Sequence, residues 1–344
     1  MNPRPRQASR LPIANPDRRR ASRAPEAFPK RPKEATMGSN QWSERMKILV
    51  SGASGLVGSR LCSYLEAHDH EAWKLTRRPP SDGARELRWN PQTGDFDMAA
   101  LEGFDAVVHL AGESIAGGRW NAARKARIRD SRSVGTRHLA TALARLTAKP
   151  KVLVSASAIG IYGPRGDEPL DEAASHGDDF LASVCEAWEA AAEPAREAGI
   201  RVVHPRLGVV LSTEGGALAK MLTPFKLCLG GPLGHGRQVM SWIHIDDLTK
   251  ALLHMIEDDS LEGPVNSTAP AAMSNADFSR ALGKALGRPA FIPMPGFQAR
   301  LLFGEMADAL LLSGQRVTPK RLEASGFRFD HPELAGALSA LLSR

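Results

Sequence analysis

Three glycines at intervals of three residues, Gly52, Gly55 and Gly58, directly follow the apolar run Lys47–Val50. A glycine-rich turn between a strand and a helix binds phosphate, because the backbone approaches the anion closely and the helix N-terminus offers free N–H groups. Here the turn lies between a predicted strand and a segment with helical spacing of apolar residues. We therefore predict a dinucleotide site formed by Gly52, Ser54, Gly55, Leu56, Val57 and Gly58.

Two arginines, Arg77 and Arg78, follow the predicted second strand, Glu71–Leu75. Sites for NAD usually place an Asp or Glu about 20 residues past the glycines, where it binds the ribose 2′-hydroxyl. A guanidinium instead suits a 2′-phosphate, to which it donates paired hydrogen bonds. The pair favours NADP(H) over NAD(H), and an exposed basic turn without a ligand is the alternative.

Other reactive side chains lie near the predicted carboxyl ends of strands. Glu113 follows the third predicted strand, Ala106–Leu110, and is either a general base or the ion-pair partner of Arg119, Arg129 or Arg132. We interpret Cys185 as a small buried apolar residue. The pair Asp246-Asp247 is interpreted as a helix cap. The three cysteines are scattered, and no metal site is predicted.

Predicted strands and helices alternate through the first half of the chain. The strands are Lys47–Val50, Glu71–Leu75, Ala106–Leu110, Val152–Ser155 and Val202–His204, and the main helices are near 56–67, 122–147 and 180–197. This alternation predicts an α/β fold, with a doubly wound, parallel Rossmann-type sheet and a smaller helix-rich C-terminal lobe. We predict a disordered basic leader at 1–45, an NADP-binding Rossmann domain at 46–210 and a substrate lobe at 211–344. That lobe includes a C-terminal helical module at about 273–340.

From about residue 46 to near its C-terminus, the chain resembles extended short-chain dehydrogenases/reductases of the NAD-dependent epimerase/dehydratase family. The similar segments are 50–58, 109–112, 155–163, 205–208 and 241–247. Residues 111–113, 119–120, 131–132, Cys185 and 188–189 resemble an atypical subgroup that has a C-terminal domain of unknown function. The resemblance implies oxidoreductase or epimerase activity. It also implies cofactor contacts by Leu110, Ala111, Gly112, Ser155, Pro205 and Arg206.

One departure from the family concerns its catalytic pair, Tyr-x-x-x-Lys, in which the lysine lowers the pKa of the tyrosine. The matching helix, 180–189, contains neither residue type. The two tyrosines of the chain are Tyr64, in the first helix, and Tyr162, whose fourth following residue is Gly166. The resemblance places the catalytic serine at Ser157, or at Ala158 if counted back from Tyr162, and we favour Ser157. The predicted catalytic residues are Ser157, Tyr162 as acid and Glu113 as base.

The 344-residue chain has a net charge of +7, and all of this net positive charge comes from the leader. Residues 1–45 contain 11 Lys/Arg and 4 Asp/Glu, so the remainder has 34 residues of each sign. The leader has seven prolines and no apolar periodicity, which predicts disorder rather than a secretory signal. No apolar run reaches membrane-spanning length. We expect no nucleic-acid or membrane partner and a cytoplasmic location.

Two functions remain open from the sequence. The first is an NADP(H)-binding epimerase or oxidoreductase that acts on a small polar molecule, such as a nucleotide sugar, with a non-standard active site. The second is a catalytically silent NADP(H)-binding sensor or regulator. Family members often form homodimers through two helices that correspond here to 122–147 and 180–197, so a homodimer is left open.

Overall fold

The computed structural model describes residues 45–343, and the predicted leader lies outside this range apart from Arg45. A large sheet contains β1 to β6, β7, β9 and β13, in the order β13-β9-β6-β5-β1-β2-β3-β4, with β7 paired to β9. All its pairings are parallel except that of β3 with β4. These strands are β1 (Lys47–Ser51), β2 (Glu71–Thr76), β3 (Glu86–Asn90), β4 (Asp95–Phe96), β5 (Ala106–His109), β6 (Val152–Ser155), β7 (Ser157–Ala158), β9 (Arg201–Leu207) and β13 (Gly263–Ser267).

From β1 the chain adds β2, β3 and β4 toward one edge of the sheet, and it then adds β5, β6 and β9 on the other side of β1. The strand order therefore reverses between β1 and β5. In open parallel sheets, ligands bind outside the carboxyl ends of the strands at such a switch point. The predicted α/β doubly wound sheet is confirmed. Strand β13 lies beyond residue 210, where we predicted that the Rossmann domain ends, so the sheet takes a strand from the later segment.

Helices cover both faces of the sheet, and β1 shows the division. Ile48 and Val50 pack on one face with helices at 56–67 and 245–257, whereas Leu49 packs on the other face with helices at 122–144 and 193–197. The helices of the first half are α1 (Leu56–Ala67), α2 (Ala122–Ala144), α3 (Phe180–Ala190) and α4 (Glu193–Glu197). A 3-10 turn at Ile159–Tyr162 follows β7.

The C-terminal lobe has its own apolar core, which includes Trp242, Phe278 and Leu338. Its helices are α5 (Gly216–Lys226), α6 (Ile245–Glu257), α7 (Asn275–Leu286), α8 (Gly296–Phe303), α9 (Glu305–Ala307), α10 (Lys320–Ala324) and α11 (Leu334–Leu342), with a π-helical turn at Asp308–Leu312. Its short strands are β10 (Val209–Leu211), β11 (Val239–Met240), β12 (Trp242–His244), β14 (Met273–Ser274) and β15 (Arg316–Val317). Strand β15 pairs with β8 (Pro169–Leu170) and joins the lobe to the first half of the chain. No helix within residues 45–343 is long and apolar enough to cross a membrane.

Candidate active site

The glycine loop after β1 is held against the chain that follows β5. Gly52 has a φ of +68°, and a Cβ placed there would lie 2.8 Å from the carbonyl carbon of Leu110. A Cβ on Gly58 would clash with the carbonyl oxygen of Gly52. Both positions therefore require glycine, for the turn and for the close approach of α1 to β1.

The N-terminus of α1 has the features of an anion site. Its N-cap residue, Gly55, provides no side-chain hydrogen bond, and the first turn has no acidic residue. Ser54 and Gly55 are exposed, so the free N–H groups of the first turn are open to a ligand. The side chain of Leu56 contacts the backbone of Gly215 and Gly216, which brings the start of α5 beside this loop.

Ser51 and His109 hold together the two chain segments that meet here, the glycine loop after β1 and the segment after β5. The Ser51 hydroxyl accepts hydrogen bonds from the N–H groups of Leu110 (3.1 Å) and Ala111 (3.3 Å), so its proton is directed to His109 Nδ1 at 2.6 Å. His109 Nε2 then donates to the Thr136 hydroxyl at 2.9 Å. Burial lowers the pKa of His109 to about 4, so the ring is neutral and keeps this tautomer.

Arg77 and Arg78 lie just past β2, at the same edge as the glycine loop, because Ser51 is paired with Leu75. Both side chains are exposed, and neither forms an ion pair with any residue in the range 45–343. The position fits a site for the 2′-phosphate.

The structure places the other cofactor-site residues inferred from the resemblance in different surroundings. Leu110 and Ala111 border the glycine loop, whereas Gly112 faces the side chain of Arg132. Ser155 ends β6, and its buried hydroxyl has no hydrogen-bond partner among the described residues. Pro205 is buried in β9 opposite Val265. Arg206 is turned away into an internal network, so its side chain is not placed as a cofactor ligand.

That network joins β7, β9 and α3 through one ion pair. Arg206 donates from Nε and Nη2 to the two carboxylate oxygens of Glu189, at 2.9 and 3.0 Å. Ser157 donates its hydroxyl proton to Glu189 Oε1 at 2.7 Å. Burial by itself raises the pKa of Glu189, but the hydrogen bonds and charge of Arg206 outweigh it and lower the pKa. Glu189 is therefore a carboxylate at neutral pH, held between a serine and a guanidinium.

Tyr162 belongs to the same network and is fully buried. Its hydroxyl donates to Asn266 Oδ1 at 2.7 Å and accepts from Arg206 Nη1 at 3.0 Å. Burial raises its pKa. Both hydrogen bonds of the Tyr162 hydroxyl go to partners inside the protein, so its predicted role as an acid is not supported by this geometry.

Helix α3 presents Leu181 and Cys185, one turn apart, to the 3-10 turn near Gly160. They lie on the helix on which the resemblance places a Tyr-x-x-x-Lys pair. Burial raises the pKa of the Cys185 thiol to about 12, which agrees with its interpretation as a buried apolar residue and not a nucleophile. The guanidinium of Arg132 lies over the ring of Trp188 at 4.9 Å, and burial lowers the pKa of Arg132.

Glu113 is an ion-pair partner in this structure. Its Oε1 accepts from Arg124 Nη1 at 2.5 Å and from Arg127 Nε at 3.4 Å, and Ser131 accepts from its backbone N–H. The ion-pair alternative thus matches the geometry, but with Arg124 and Arg127 in place of the three arginines proposed from the sequence. Its role as a base stays a prediction.

His244, Asp246 and His331 form a cluster whose potential ligand atoms lie within 4.8 Å of one another. Asp246 is paired with Arg60 at 2.7 Å, so a guanidinium already occupies one side of the carboxylate. The N-cap of α6 is His244, whose Nδ1 accepts from the N–H of Asp246. Asp246 and Asp247 lie in the first turn and do not cap the helix, contrary to the sequence interpretation. Asp247 instead accepts from the N–H groups of Asp330 and His331.

Comparisons with known proteins agree with this architecture. The model of the NAD dependent epimerase/dehydratase family matches residues 48–266, and that of a domain of unknown function, DUF1731, matches 294–341. An epimerase family protein of Mycobacterium leprae is 43% identical over 88% of this chain and 98% of its own length. The human epimerase family protein SDR39U1 is 38% identical over 87% of this chain and 100% of its own length.

Solved structures show the same relationship. The human protein SDR39U1, crystallised with NADPH, aligns with a TM-score of 0.81 and 37% identity over 87% of this chain and 100% of that one. A UDP-N-acetylglucosamine 4-epimerase from Methanobrevibacter ruminantium aligns with a TM-score of 0.69, covering 87% of this chain and 98% of that one; at 17% identity it shows only a shared fold. The resemblance inferred from the sequence is confirmed: the chain belongs to the NAD dependent epimerase/dehydratase family and has a DUF1731 domain at its C-terminus.

Proposed function

We propose that this protein binds NADP(H) at the switch point between β1 and β5. The observation that supports it best is the glycine loop, where glycine is required at Gly52 and Gly58 and the N-terminus of α1 is open. Arg77 and Arg78, which form no ion pair within residues 45–343, support the phosphorylated cofactor. NADPH in the structure of a relative 37% identical supports the same choice.

The cofactor assignment is tested by titrating NADPH and NADH into the wild-type protein and into Arg77→Asp and Arg78→Asp. We expect each variant to weaken NADPH binding about tenfold or more and NADH binding at most about twofold, because only NADPH has the 2′-phosphate. Arg85→Asp is the matched control, since Arg85 is exposed and lines a cavity with Glu66 and His70, which precede β2, and not with the glycine loop. Equal weakening of both cofactors would overturn the assignment.

For catalysis, we propose an oxidoreductase or epimerase that acts on a small polar substrate, such as a nucleotide sugar, and uses Ser157 and Glu189. Bound NADP(H) supplies hydride transfer. Because Ser157 donates its proton to Glu189, the lone pairs of its oxygen remain to accept a hydrogen bond from a substrate hydroxyl. Loss of that substrate proton to Ser157, with transfer of the Ser157 proton to Glu189, would neutralise the carboxylate and leave the electron pair of the broken O–H bond on the substrate oxygen.

The alternative function, a cofactor-binding regulator without turnover, has its own support. The pKa of Glu189 is lowered, Tyr162 is buried in the network, and the helix expected to carry a Tyr-x-x-x-Lys pair has neither residue type in 180–189. A carboxylate that strongly prefers its charged form is a weak proton acceptor.

A screen of nucleotide sugars and small carbonyl compounds for loss of reduced cofactor separates the two. If turnover is found, Ser157→Ala should lower kcat about a hundredfold or more while leaving NADPH affinity unchanged. Ser183→Ala, on the exposed side of α3, is the control. NADPH binding without turnover of any tested compound would favour the regulator. Turnover that survives Ser157→Ala unchanged would remove Ser157 from the mechanism.

A further inference from the structure

Two segments of the C-terminal lobe lack acidic residues and lie against each other. No Asp or Glu occurs in residues 215–245 or 278–304. Their backbones are joined where Ile292 donates to the Gly230 carbonyl (3.2 Å), Met294 to that of Pro232 (2.9 Å) and Gly234 to that of Met294 (2.8 Å). They therefore form a continuous surface, which we call the basic-apolar face.

Large apolar side chains on this surface are left in water. Phe291 is 75% exposed, Leu301 72% and Phe297 67%. Phe297 and Leu301 are four residues apart on α8 and so share one side of that helix. The exposed apolar residues of the basic-apolar face are Leu227, Leu229, Phe291, Ile292, Phe297, Leu301 and Leu302. Exposed apolar groups this concentrated mark an interaction site.

Cations line a cavity beside these apolar residues. The cavity, of about 470 Å³, is bounded by Arg280, Lys284 and Arg288, which follow one another at intervals of four residues from α7, and by the ring of Phe291. Lys284 and Arg288 form no ion pair with any residue that the structure describes, whereas Arg280 is paired with Asp277. The other flanking carboxylates, Asp308 and Glu305, are also paired, with Arg300 and Lys125. The face is therefore cationic, with unneutralised charge next to apolar side chains.

We propose that the basic-apolar face binds the surface of an anionic phospholipid bilayer, with lipid phosphates at Lys284 and Arg288 and the apolar side chains in the acyl boundary. Basic residues combined with Phe and Leu are the composition that binds such interfaces. A second copy of the chain fits less well, because both copies would bring unneutralised cations to the contact, and the flanking carboxylates are already paired. A free phosphate would leave the apolar residues unexplained. Our expectation of no membrane partner rested only on the lack of a membrane-spanning segment, and surface binding needs none.

The test is co-sedimentation with vesicles of phosphatidylcholine alone, and of about three parts phosphatidylcholine to one part phosphatidylglycerol. Each protein is tested as the full chain and as a chain that begins at Met46, because the basic residues 1–45 would themselves attract anionic lipid. The shorter chain contains both segments matched by the family models, residues 48–266 and 294–341. We expect the shorter wild-type chain to bind the anionic vesicles and not the neutral ones, and binding to fall as salt is raised.

Two double variants separate the contributions of charge and apolar surface. Lys284→Glu/Arg288→Glu and Phe291→Ser/Leu301→Ser should each lower the fraction bound about tenfold or more. Arg145→Glu/Lys149→Glu makes the same charge change at exposed positions between α2 and β6 and should bind like the wild type. Unchanged circular dichroism and NADPH affinity would show that all variants are folded and that the proposed cofactor site is intact.

Several results would overturn the proposal. One is failure of the shorter wild-type chain to bind anionic vesicles, and another is equal loss of binding in the Arg145/Lys149 control. Binding of glycerol phosphate that is sensitive to Lys284→Glu/Arg288→Glu, without vesicle binding, would assign the cavity to a small anion. Dissociation of a dimer by Phe291→Ser/Leu301→Ser, again without vesicle binding, would assign the face to self-association.

Discussion

The ion pair between Glu189 and Arg206 gives a quantitative prediction about stability. The side chains are 14% and 3% exposed, so loss of either partner leaves the other charge buried. Glu189→Met leaves the guanidinium with only Tyr162 and His176, and Arg206→Met leaves the carboxylate with only Ser157. Each change should lower the free energy of unfolding by about 3–5 kcal/mol.

The double variant Glu189→Met/Arg206→Met removes both charges and fills their space with apolar groups. It should be more stable than either single variant, which implies a coupling energy of about 3 kcal/mol or more. The exposed pair Arg300 and Asp308 is the control, and its loss should leave the unfolding midpoint nearly unchanged.

The measurement is urea unfolding near neutral pH, followed by both tryptophan fluorescence and circular dichroism, so that the midpoint and slope are obtained from two signals. Additive effects of the two single changes would refute the argument, because independent sites add and a shared buried pair does not. Single variants that each lose less than about 1 kcal/mol would refute it as well.

Three further predictions concern other buried features. Since the pKa of His109 is about 4 in the folded protein and near 6.5 when unfolded, the unfolded chain binds the proton more tightly. The free energy of unfolding should therefore fall by about 3 kcal/mol from pH 7 to pH 4 in addition to the general acid effect, and this part should be absent in His109→Gln; identical pH profiles would contradict it. Gly58→Ala should abolish NADPH binding and destabilise the protein, because the added Cβ meets the Gly52 carbonyl. The control Gly336→Ala in α11, with open space around it, should be neutral or stabilising by about 0.5–1 kcal/mol in thermal unfolding. NADPH affinity unaffected by Gly58→Ala would count against the loop geometry. Burial raises the pKa of the Cys62 thiol to about 11 and that of Cys185 to about 12. Iodoacetamide near pH 8 should therefore label the partly exposed Cys228 first, which mass spectrometry of peptides would show. Early labelling of Cys185 would mean that α3 opens.

The glycine loop could be predicted from the sequence because its requirements are local. Gly52, Gly55 and Gly58 lie within seven residues, and their order after an apolar run specifies the turn. The fold class followed from the alternation of elements for the same reason. The short strand β3 was missed, because it lies in a polar stretch and Trp89 is its only buried residue.

The network around Glu189 could not be predicted in this way. Glu189 lies on α3 and Arg206 on β9, and the register of β7 with β9 places Arg206 beside Ser157. Asn266 reaches Tyr162 only because β13 pairs with β9. One sequence signal was available: Glu189 falls at helical spacing with the apolar Leu181 and Cys185, and such a carboxylate, like an arginine within a buried strand, requires a partner. The partners themselves depend on strand order, which periodicity does not supply.

The position of β13 beside β9 has a consequence for how this chain is made. Translation proceeds from the N-terminus, so β9 is complete more than fifty residues before Gly263–Ser267 can cover it. During that interval β9 is an unprotected edge, with buried apolar residues and free backbone groups that can pair with another nascent chain. The first half of the protein thus depends for solubility on β13, the last strand to join the large sheet, and a polypeptide that stops near residue 210 should aggregate during synthesis even though its nucleotide loop is complete.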